Sequence, residues 1–367
     1  MSGAIGRAAE GRAAALSVFC PILKEDIEGL RAAISRSTFD PDAFLSFAKA
    51  HNVAGYVHAV LAEEGHLALL PSRLQSGLAD AGSRQMEKCD RLIGEIQRLK
   101  RRLERAGLDV TFLKGPFLSK RFYGNPRHRH YGDIDLLVRG RKDLIATDRV
   151  LRTSGYDRLS IPLLGYGAAM RFAYHFSYRS ERGKVDLHWA LRSHFSWDID
   201  YGRLWSERET ERLADREFPV LSPEYDVLLL VVSILGDYQK ARLRMKFLVD
   251  LYKVLQFMGD DTDWAAFCGR RQREGVLRIT GAVLGLALEL LDAREEFPNL
   301  TRALALTGDR GRPNALGDPL ECIEFSDRAS DKIRNHLRSY RLHETGLVRA
   351  VGWRILAEPF HRTVLRN

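Results

Sequence analysis

The chain has 367 residues, of which 45% are hydrophobic and 29% charged, and its 57 basic and 48 acidic residues give a formal net charge of +9. This composition is that of an ordinary soluble globular protein. Because no stretch approaches the roughly 18 apolar residues that a membrane helix needs, no membrane partner is expected.

The four cysteines indicate a reducing compartment. Cys20, Cys89, Cys268 and Cys322 are far apart, and none belongs to a Cys-x-x-Cys motif or lies near a pair of histidines. They favour neither a disulfide framework nor a zinc site, so we expect a cytoplasmic protein. The moderate excess of positive charge suits nucleotide, nucleic acid or phosphorylated substrates, and it equally suits a basic solvated surface.

Helices are predicted throughout the first 106 residues. Residues 1–12 look frayed, and the short apolar run before Pro21 is typical of a first core helix rather than a signal peptide. From Lys24 onward apolar residues recur at helical spacing, and a longer helix is predicted from residue 72 to about residue 106. Its last turns are strongly basic, which suits a helix C-terminus, and Gly107 ends it.

An α/β segment follows, and its second strand carries paired acids. A strand is predicted at 108–113, a short helix from residue 116 to about residue 123, and, after a loop at 124–132, a strand that reads Asp133-Ile-Asp-Leu-Leu-Val. Asp133 and Asp135 stand two apart, so both carboxylates point to one face of the strand. At roughly 4 to 6 Å their repulsion is worth about 1 kcal/mol or more, which favours a raised pKa or a bound divalent cation.

Lys114 and Gly115 lie between the first strand and the short helix. A glycine there lets backbone N–H groups approach a phosphate at the helix N-terminus, and the lysine adds a point charge. A phosphate cradle combined with metal-binding carboxylates predicts phosphoryl or nucleotidyl transfer.

A third carboxylate is predicted on a later strand. After a helix at 140–154, strands are predicted at 171–178 and 184–191, with a hairpin turn at 180–183. The second strand contains Asp186 and His188, which share one face. Asp186 is a candidate third metal ligand, and the alternative is an exposed position at a sheet edge.

From residue 201 onward the chain is predicted to be mainly helical. A short extended piece is predicted at 219–222, and apolar helices at 223–235, 242–257 and 275–291. Residues 307–319 read as a loop, and the arginine-rich tail from residue 323 as a basic helical hairpin. Lys246 and Asp250 lie four apart on one helix, where they form a surface salt pair or Lys246 faces a nucleotide.

The order of strand, glycine turn, helix, Asp-x-Asp strand and later acidic strand resembles the nucleotidyltransferase superfamily of the DNA polymerase β type. The run Leu-Lys-Gly, an arginine, and Asp-Ile-Asp-Leu-Leu-Val is similar to uncharacterised bacterial nucleotidyltransferases, some of which accompany lasso peptide or polysaccharide clusters. The resemblance implies an α+β fold with a polymerase β-like mixed sheet. It would comprise an N-terminal helical region at 1–106, a core at 107–200 and a C-terminal helical domain at 201–367.

The resemblance also implies roles for particular residues. Asp133, Asp135 and Asp186 would be catalytic and would hold Mg²⁺, with Mn²⁺ as an alternative, during transfer of a nucleotidyl group from an NTP to a hydroxyl or phosphate. The nucleotide would be bound by Lys114, Gly115, Arg127, Arg129 and Lys246. Arg127 and Arg129 have the alternative of pairing with a surface acid. Pro116 departs from the superfamily, which commonly has a serine after the glycine, and removes one backbone donor.

The acceptor and the oligomeric state stay open, with a peptide, a sugar or an RNA as candidate acceptors. Other functions also stay open because a fold does not fix a reaction. They are a different group transfer to a phosphorylated peptide or sugar, a nucleotide-binding protein without turnover, and a nucleic-acid-binding module that uses the basic helices.

Overall fold

A computed structural model describes residues 2–159, 165–192, 197–306 and 313–342. Helices and a mixed sheet coexist in it, which confirms the predicted α+β class. The strands are β1 Val110–Leu113, β2 Asp133–Val138, β3 Asp157–Arg158, β4 His175–Ser180, β5 Gly183–His188, β6 Glu209–Leu213 and β7 Arg216–Val220. The helices are α1 Ser2–Leu23, α2 Ile27–Ile34, α3 Pro41–Ala50, α4 Ala54–Glu63, α5 Ser72–Arg105, α6 Gly115–Tyr123, α7 Arg141–Thr153, α8 Gly165–Phe172, α9 Tyr201–Ser206, α10 Pro223–Gln239, α11 Met245–Met258, α12 Trp264–Arg273, α13 Leu277–Leu290, α14 Pro298–Ala305, α15 Pro319–Cys322 and α16 Ala329–Tyr340.

The main sheet has the strand order β1-β2-β5-β4-β3. β2 and β5 run parallel, and the other neighbouring strands are antiparallel. Because side chains alternate along each strand, the two faces differ in chemistry. One face carries the acids of β2 and β5, and we call it the acid face; the other is apolar.

The two faces contribute to different hydrophobic clusters. On the apolar face, Phe112, Ile134 and Leu187 pack in the same cluster as Ile96 and Leu99 of α5. On the acid face, Leu113 and Leu137 belong instead to the large cluster that includes α10, α11 and α13. The C-terminal helices therefore pack on the side of the sheet where the acids lie.

The N-terminal prediction needs a correction. Residues 2–12 are helical rather than frayed, because α1 runs without a break from Ser2 to Leu23. This segment is rich in alanine, the strongest helix former. An ion pair of 3.0 Å between Arg12 and Glu324 also ties it to the C-terminal part of the chain.

Two strand predictions also need correction. The strand predicted from residue 171 begins only at His175, since residues 171 and 172 end α8. After residue 201 the chain contains a β-hairpin, β6–β7, where only a short extended piece had been predicted. Its Phe218 packs against Phe112 and Phe117, with ring centroids 5.0 and 4.9 Å apart. Ala214 at φ 54° gives the hairpin a turn without the usual glycine or asparagine signal.

Several other predictions are confirmed or lie outside the described residues. The long helix, the short helix and the turn between β4 and β5 are present as predicted. Of the predicted basic hairpin the structure describes α16, and residues 343–367 lie outside the described residues, as do residues 307–312 of the predicted loop. The domain boundaries after residues 106 and 200 stay predictions.

Among the described helices, none combines sufficient length with sufficient apolar character to cross a bilayer.

His51 connects the N-terminal helices to the start of α11. The amide of Met245 donates to His51 Nδ1 at 3.2 Å, and the amide of Lys246 donates to the His51 carbonyl at 3.3 Å. These amides open a helix and so lack partners within it. The imidazole lies between Phe47 and Phe325, with centroids 4.4 and 4.7 Å away, and burial lowers its pKa to about 4.

Lowering the pH from 8 to 5 should therefore cost about 2 kcal/mol of the free energy of unfolding through His51. Its pKa is lower when folded than when unfolded, so this stability is complete above about pH 6.5 and is lost as the pH falls toward 4. Urea unfolding at both pH values should show a smaller loss for His51→Asn, which keeps an acceptor and does not titrate. An equal loss in both proteins would contradict this prediction.

Candidate active site

Three carboxylates meet on the acid face. Asp135 of β2 lies opposite Asp186 of β5, and Asp133 lies opposite Lys184 in the same parallel register. Side chains paired across a ladder, like those two apart on a strand, point to the same side of a sheet. Burial, followed by repulsion from Asp135 and Asp186, raises the pKa of Asp133. The structure thus brings together the three acids that the sequence analysis selected.

Lys184 provides a positive charge among these acids. Its Nζ lies 2.7 Å from Asp186 Oδ2 and 3.9 Å from Asp133 Oδ2. The other oxygen of Asp186 accepts a hydrogen bond of 2.5 Å from the Ser177 hydroxyl of β4. Burial would lower the pKa of Lys184, but its hydrogen bond to Asp186 and the nearby carboxylates outweigh burial and raise it.

His188 holds the second acid of β2. Its Nε2 lies 3.1 Å from Asp135 Oδ1. Burial by itself would raise the pKa of Asp135, but the His188 contact and the positive charge of Lys114 lower it below its usual range. His175 stacks on His188 with centroids 5.1 Å apart. The ionised form of Asp135 is therefore favoured and its orientation fixed, whereas burial and the neighbouring acids disfavour the ionised form of Asp133.

The turn between β1 and α6 has an unusual backbone. Lys114 has φ 48° and ψ −134°, and Gly115 follows with φ 53°. A side chain is disfavoured at the Lys114 conformation, which costs on the order of 1–3 kcal/mol. A Cβ built on Gly115 would meet no atom within 4 Å outside its chain neighbours and its own helix, so the space beside this buried glycine is unfilled. Within the described residues Lys114 has no hydrogen bond or ion pair of its side chain, although its charge acts on Asp133 and Asp135.

Arg129 is buried in an ion pair. Its Nε lies 2.7 Å from Asp250 Oδ1, and the same oxygen accepts a hydrogen bond of 2.6 Å from Tyr123. Only 3% of the Arg129 side chain and 0% of that of Asp250 are exposed. Burial opposes the charged form of Arg129, but attraction to Asp250 raises its pKa above the usual value. The pair joins the segment before β2 to α11.

Arg127 lies at the surface. Its Nε is 2.7 Å from Asp90 Oδ1, and about half of each side chain is exposed, at 46% and 50%. This is the surface ion pair that the sequence analysis had left open as the alternative for Arg127. The two arginines therefore differ in environment: the ion pair of Arg127 is exposed, and that of Arg129 is buried.

Lys246 is half-buried beside other cations. Burial, followed by repulsion from Arg129 and Arg244, lowers the pKa of Lys246 to about 7. Asp250, the predicted partner four residues on, instead accepts hydrogen bonds from Arg129 and Tyr123. The side-chain charge of Lys246 is thus only weakly compensated by nearby acids.

The segment that leads into β2 collects further positive charge. Burial, followed by repulsion from Lys246 and Lys88, lowers the pKa of His130 to about 3. Lys88 of α5 reaches over the chain at Gly132, where its Nζ would stand 2.8 Å from a Cβ. The positive charges around His130 therefore form a region next to the acids that favours the binding of an anion.

The comparisons with known proteins give the family of the chain. A family model described as uncharacterised nucleotidyltransferase matches residues 37–292, which is most of the chain and includes every residue of the acid face. The chain belongs to this nucleotidyltransferase family. A comparison with curated proteins gives no match. Family membership indicates a transferase of nucleotidyl groups and hence an NTP as substrate.

The side chains of this nucleotidyltransferase can be tested for their fit to a metal ion. Within the described part of the chain, no three His, Cys, Asp or Glu side chains already stand as a metal-binding set. The contacts explain this, because Asp186 is turned to Lys184 and Asp135 to His188. The donors still fit Mg²⁺ or Mn²⁺, since carboxylate oxygens are the ligands that these ions prefer. Burial and the neighbouring acids both raise the pKa of Asp133, and a bound cation would offset this effect.

Some residues of the site were missed by the sequence analysis. Lys184 could have been placed on the acid face by the same alternation that placed Asp186 and His188 together, since it stands two residues earlier. Ser177 could not be placed there, because the predicted strand begins at residue 171 instead of His175 and the sequence does not give the register of β4 with β5. Lys88 lies on a distant helix, and no local pattern marks it.

Replacing Lys114 by glycine should stabilise this nucleotidyltransferase and weaken its binding of NTP. The glycine relieves a disfavoured backbone, a gain of about 1 kcal/mol, and removes the ammonium group. Lys114→Ala is the matched control, because it loses the charge and keeps the strain. Urea unfolding and calorimetric titration with an NTP and Mg²⁺ measure both effects. A Lys114→Gly protein no more stable than Lys114→Ala would contradict this account of the turn.

Removing the buried partner of Arg129 should strongly destabilise the fold. Asp250→Ala leaves a guanidinium buried without its counter-charge, which typically costs about 3–5 kcal/mol. Tyr123→Phe is the mild comparison, since it removes one hydrogen bond worth about 1 kcal/mol. The double variant Arg129→Met/Asp250→Leu should recover much of the loss. Equal stability of Asp250→Ala and Tyr123→Phe in urea would exclude this role for the pair.

Proposed function

We propose that this protein transfers a nucleotidyl group from an NTP to a hydroxyl or phosphate acceptor, with Mg²⁺ or Mn²⁺ as cofactor. One observation carries the proposal: three carboxylates converge on one sheet face beside the Lys114–Gly115 turn, in a member of a nucleotidyltransferase family. The polymerase β-like identity of the core is part of this proposal. The strand order and the acid positions support it.

The cations around the acid face would bind the triphosphate. Among the described residues the ammonium group of Lys114 has no hydrogen bond or ion pair, and the turn at Gly115 would offer N–H groups at the start of α6. Lys246 adds a second weakly compensated charge near Asp133. Arg129, held by Asp250, would act through the position of the chain before β2 and through its field at Asp133. Arg127 remains a candidate only if its pair with Asp90 opens.

Asp133, Asp135 and Asp186 would hold the metal ions. When bound, divalent cations neutralise phosphate charge and polarise the phosphoryl group toward attack. Asp135 is kept ionised and oriented for this role by His188 and Lys114. Asp186 lies opposite Asp135 on the neighbouring strand, so the two carboxylates would hold the metal ions together.

In the proposed transfer, an acceptor oxygen forms a bond to the α-phosphorus. The bond between that phosphorus and the oxygen bridging to the β-phosphate breaks, and pyrophosphate leaves with the electron pair. With a hydroxyl acceptor, Asp186 would take the proton; a phosphate acceptor needs no such step. Lys114 and Lys246 would stabilise the charge that develops on the leaving pyrophosphate.

The experiment that tests this function follows an α-phosphate label from NTP to acceptor. Each of the four NTPs would be incubated with Mg²⁺ and candidate peptides, sugars and RNAs, and the products read by mass shift and by label. We expect label on an acceptor and a loss of about 10²-fold or more for Asp135→Asn. Asp157→Asn is the matched control, because Asp157 is an exposed carboxylate on β3 of the same sheet.

The alternatives give different outcomes in the same assay. Label found only in free nucleotide, together with another mass shift on the acceptor, favours a different group transfer. Nucleotide binding without any product favours a protein that senses nucleotide without turnover. The resemblance adds peptide natural products, lasso peptides among them, and surface polysaccharides to the acceptors that the panel should contain.

A further inference from the structure

The ammonium group of Lys184 stands where a cation shared by two of the acids would stand. Lys184 lies opposite Asp133 in the register and two residues before Asp186, so its side chain rises between them. Its Nζ approaches the Oδ2 atoms of both, at 3.9 and 2.7 Å. These are two of the three carboxylates that the proposed function assigns to the metal.

The ammonium group and a metal ion would compete for the same atom. Asp186 Oδ1 is occupied by the Ser177 hydroxyl at 2.5 Å, which leaves Oδ2, and Lys184 is bound there. A metal ion about 2.1 Å from that oxygen would stand within a few Å of the ammonium group, and like charges at such distances repel strongly. The two cations would therefore repel each other and compete for Asp186 in this arrangement.

Lys184 is also able to leave. Its side chain is 37% exposed, in contrast to 11% for Asp186, and its four-carbon stem is flexible. An incoming NTP would bring phosphates to the acid face, and these offer the ammonium group a new partner. Without metal and nucleotide, the same group lessens the repulsion between the acids.

We propose, on the basis of the proposed function, that Lys184 is a built-in counter-ion that competes with the metal for Asp133 and Asp186. Its ammonium group balances the two carboxylates in the metal-free protein and turns to the phosphates of the NTP when the metal binds. As a consequence, metal binds weakly to the free protein and more tightly once nucleotide is present.

The test measures Mn²⁺ binding by electron paramagnetic resonance, with no turnover required. Lys184→Met, which keeps the length of the stem and removes the charge, should bind Mn²⁺ about fivefold more tightly than the wild type without nucleotide. Lys184→Arg should stay close to the wild type. Arg31→Met is the matched control, because Arg31 is an exposed cation on α2, outside the sheet, and its loss lowers the net charge equally. We expect it to change the affinity by less than about twofold.

A second measurement follows Lys184 itself. Its rate of reductive methylation, read by mass spectrometry, should rise when Mn²⁺ is added without nucleotide at a concentration that fills the site, because the metal then displaces the ammonium group from Asp186 and no phosphate is present to replace it. With Asp186→Asn the rate should be high from the start.

The outcomes separate this inference from the proposed function. If the wild type binds Mn²⁺ and transfers nucleotide but Lys184→Met binds Mn²⁺ no more tightly, the role of Lys184 is overturned alone. If neither protein binds Mn²⁺, the metal-dependent reaction and the inference both fail. Tighter binding by Lys184→Met supports the inference even where no acceptor has been found.

Discussion

The parallel pairing of β2 with β5 is the constraint on which the site depends. It sets Asp135 beside Asp186 and Asp133 beside Lys184, and a shift of one residue would turn the β5 side chains toward the apolar cluster. Placing three acids close together on a buried face is unfavourable, because burial and the neighbouring acids both raise the pKa of Asp133. The burial of apolar residues such as Ile134 and Leu187 on the opposite face offsets this unfavourable energy and fixes the same register.

A second constraint joins the sheet to the C-terminal helices. The Arg129–Asp250 pair links the segment that enters β2 to α11, and α11 also carries Lys246. His51 holds the start of the same helix from the N-terminal side. The sheet thus supplies the acids and the Lys184 ammonium group that pairs with Asp186, and the helices packed around it supply much of the remaining positive charge.

Local patterns in the sequence were enough to predict part of this arrangement. The two-residue alternation placed Asp133 with Asp135, and the order of turn, helix and strands pointed to Lys114 and Asp186. The sequence could not predict whether Asp250 pairs with Arg129 or with Lys246. Asp250 is 121 positions from Arg129, and only the packing of the chain brings the two together. The β6–β7 hairpin was missed for a related reason, since Phe218 of β7 packs on Phe112 of β1, a contact that no local pattern reveals.

Helix α5 has a consequence for any attempt to isolate the sheet. At about 1.5 Å per residue its 34 residues extend over about 50 Å, with Leu74 and Leu78 in one hydrophobic cluster and Ile96 and Leu99 in the other. A fragment that begins at residue 107 would lack α5 and would expose the apolar face of the sheet to water. A fragment that keeps the packing of α5 on the sheet would have to begin near Ser72, and partial proteolysis of the intact chain should spare this helix.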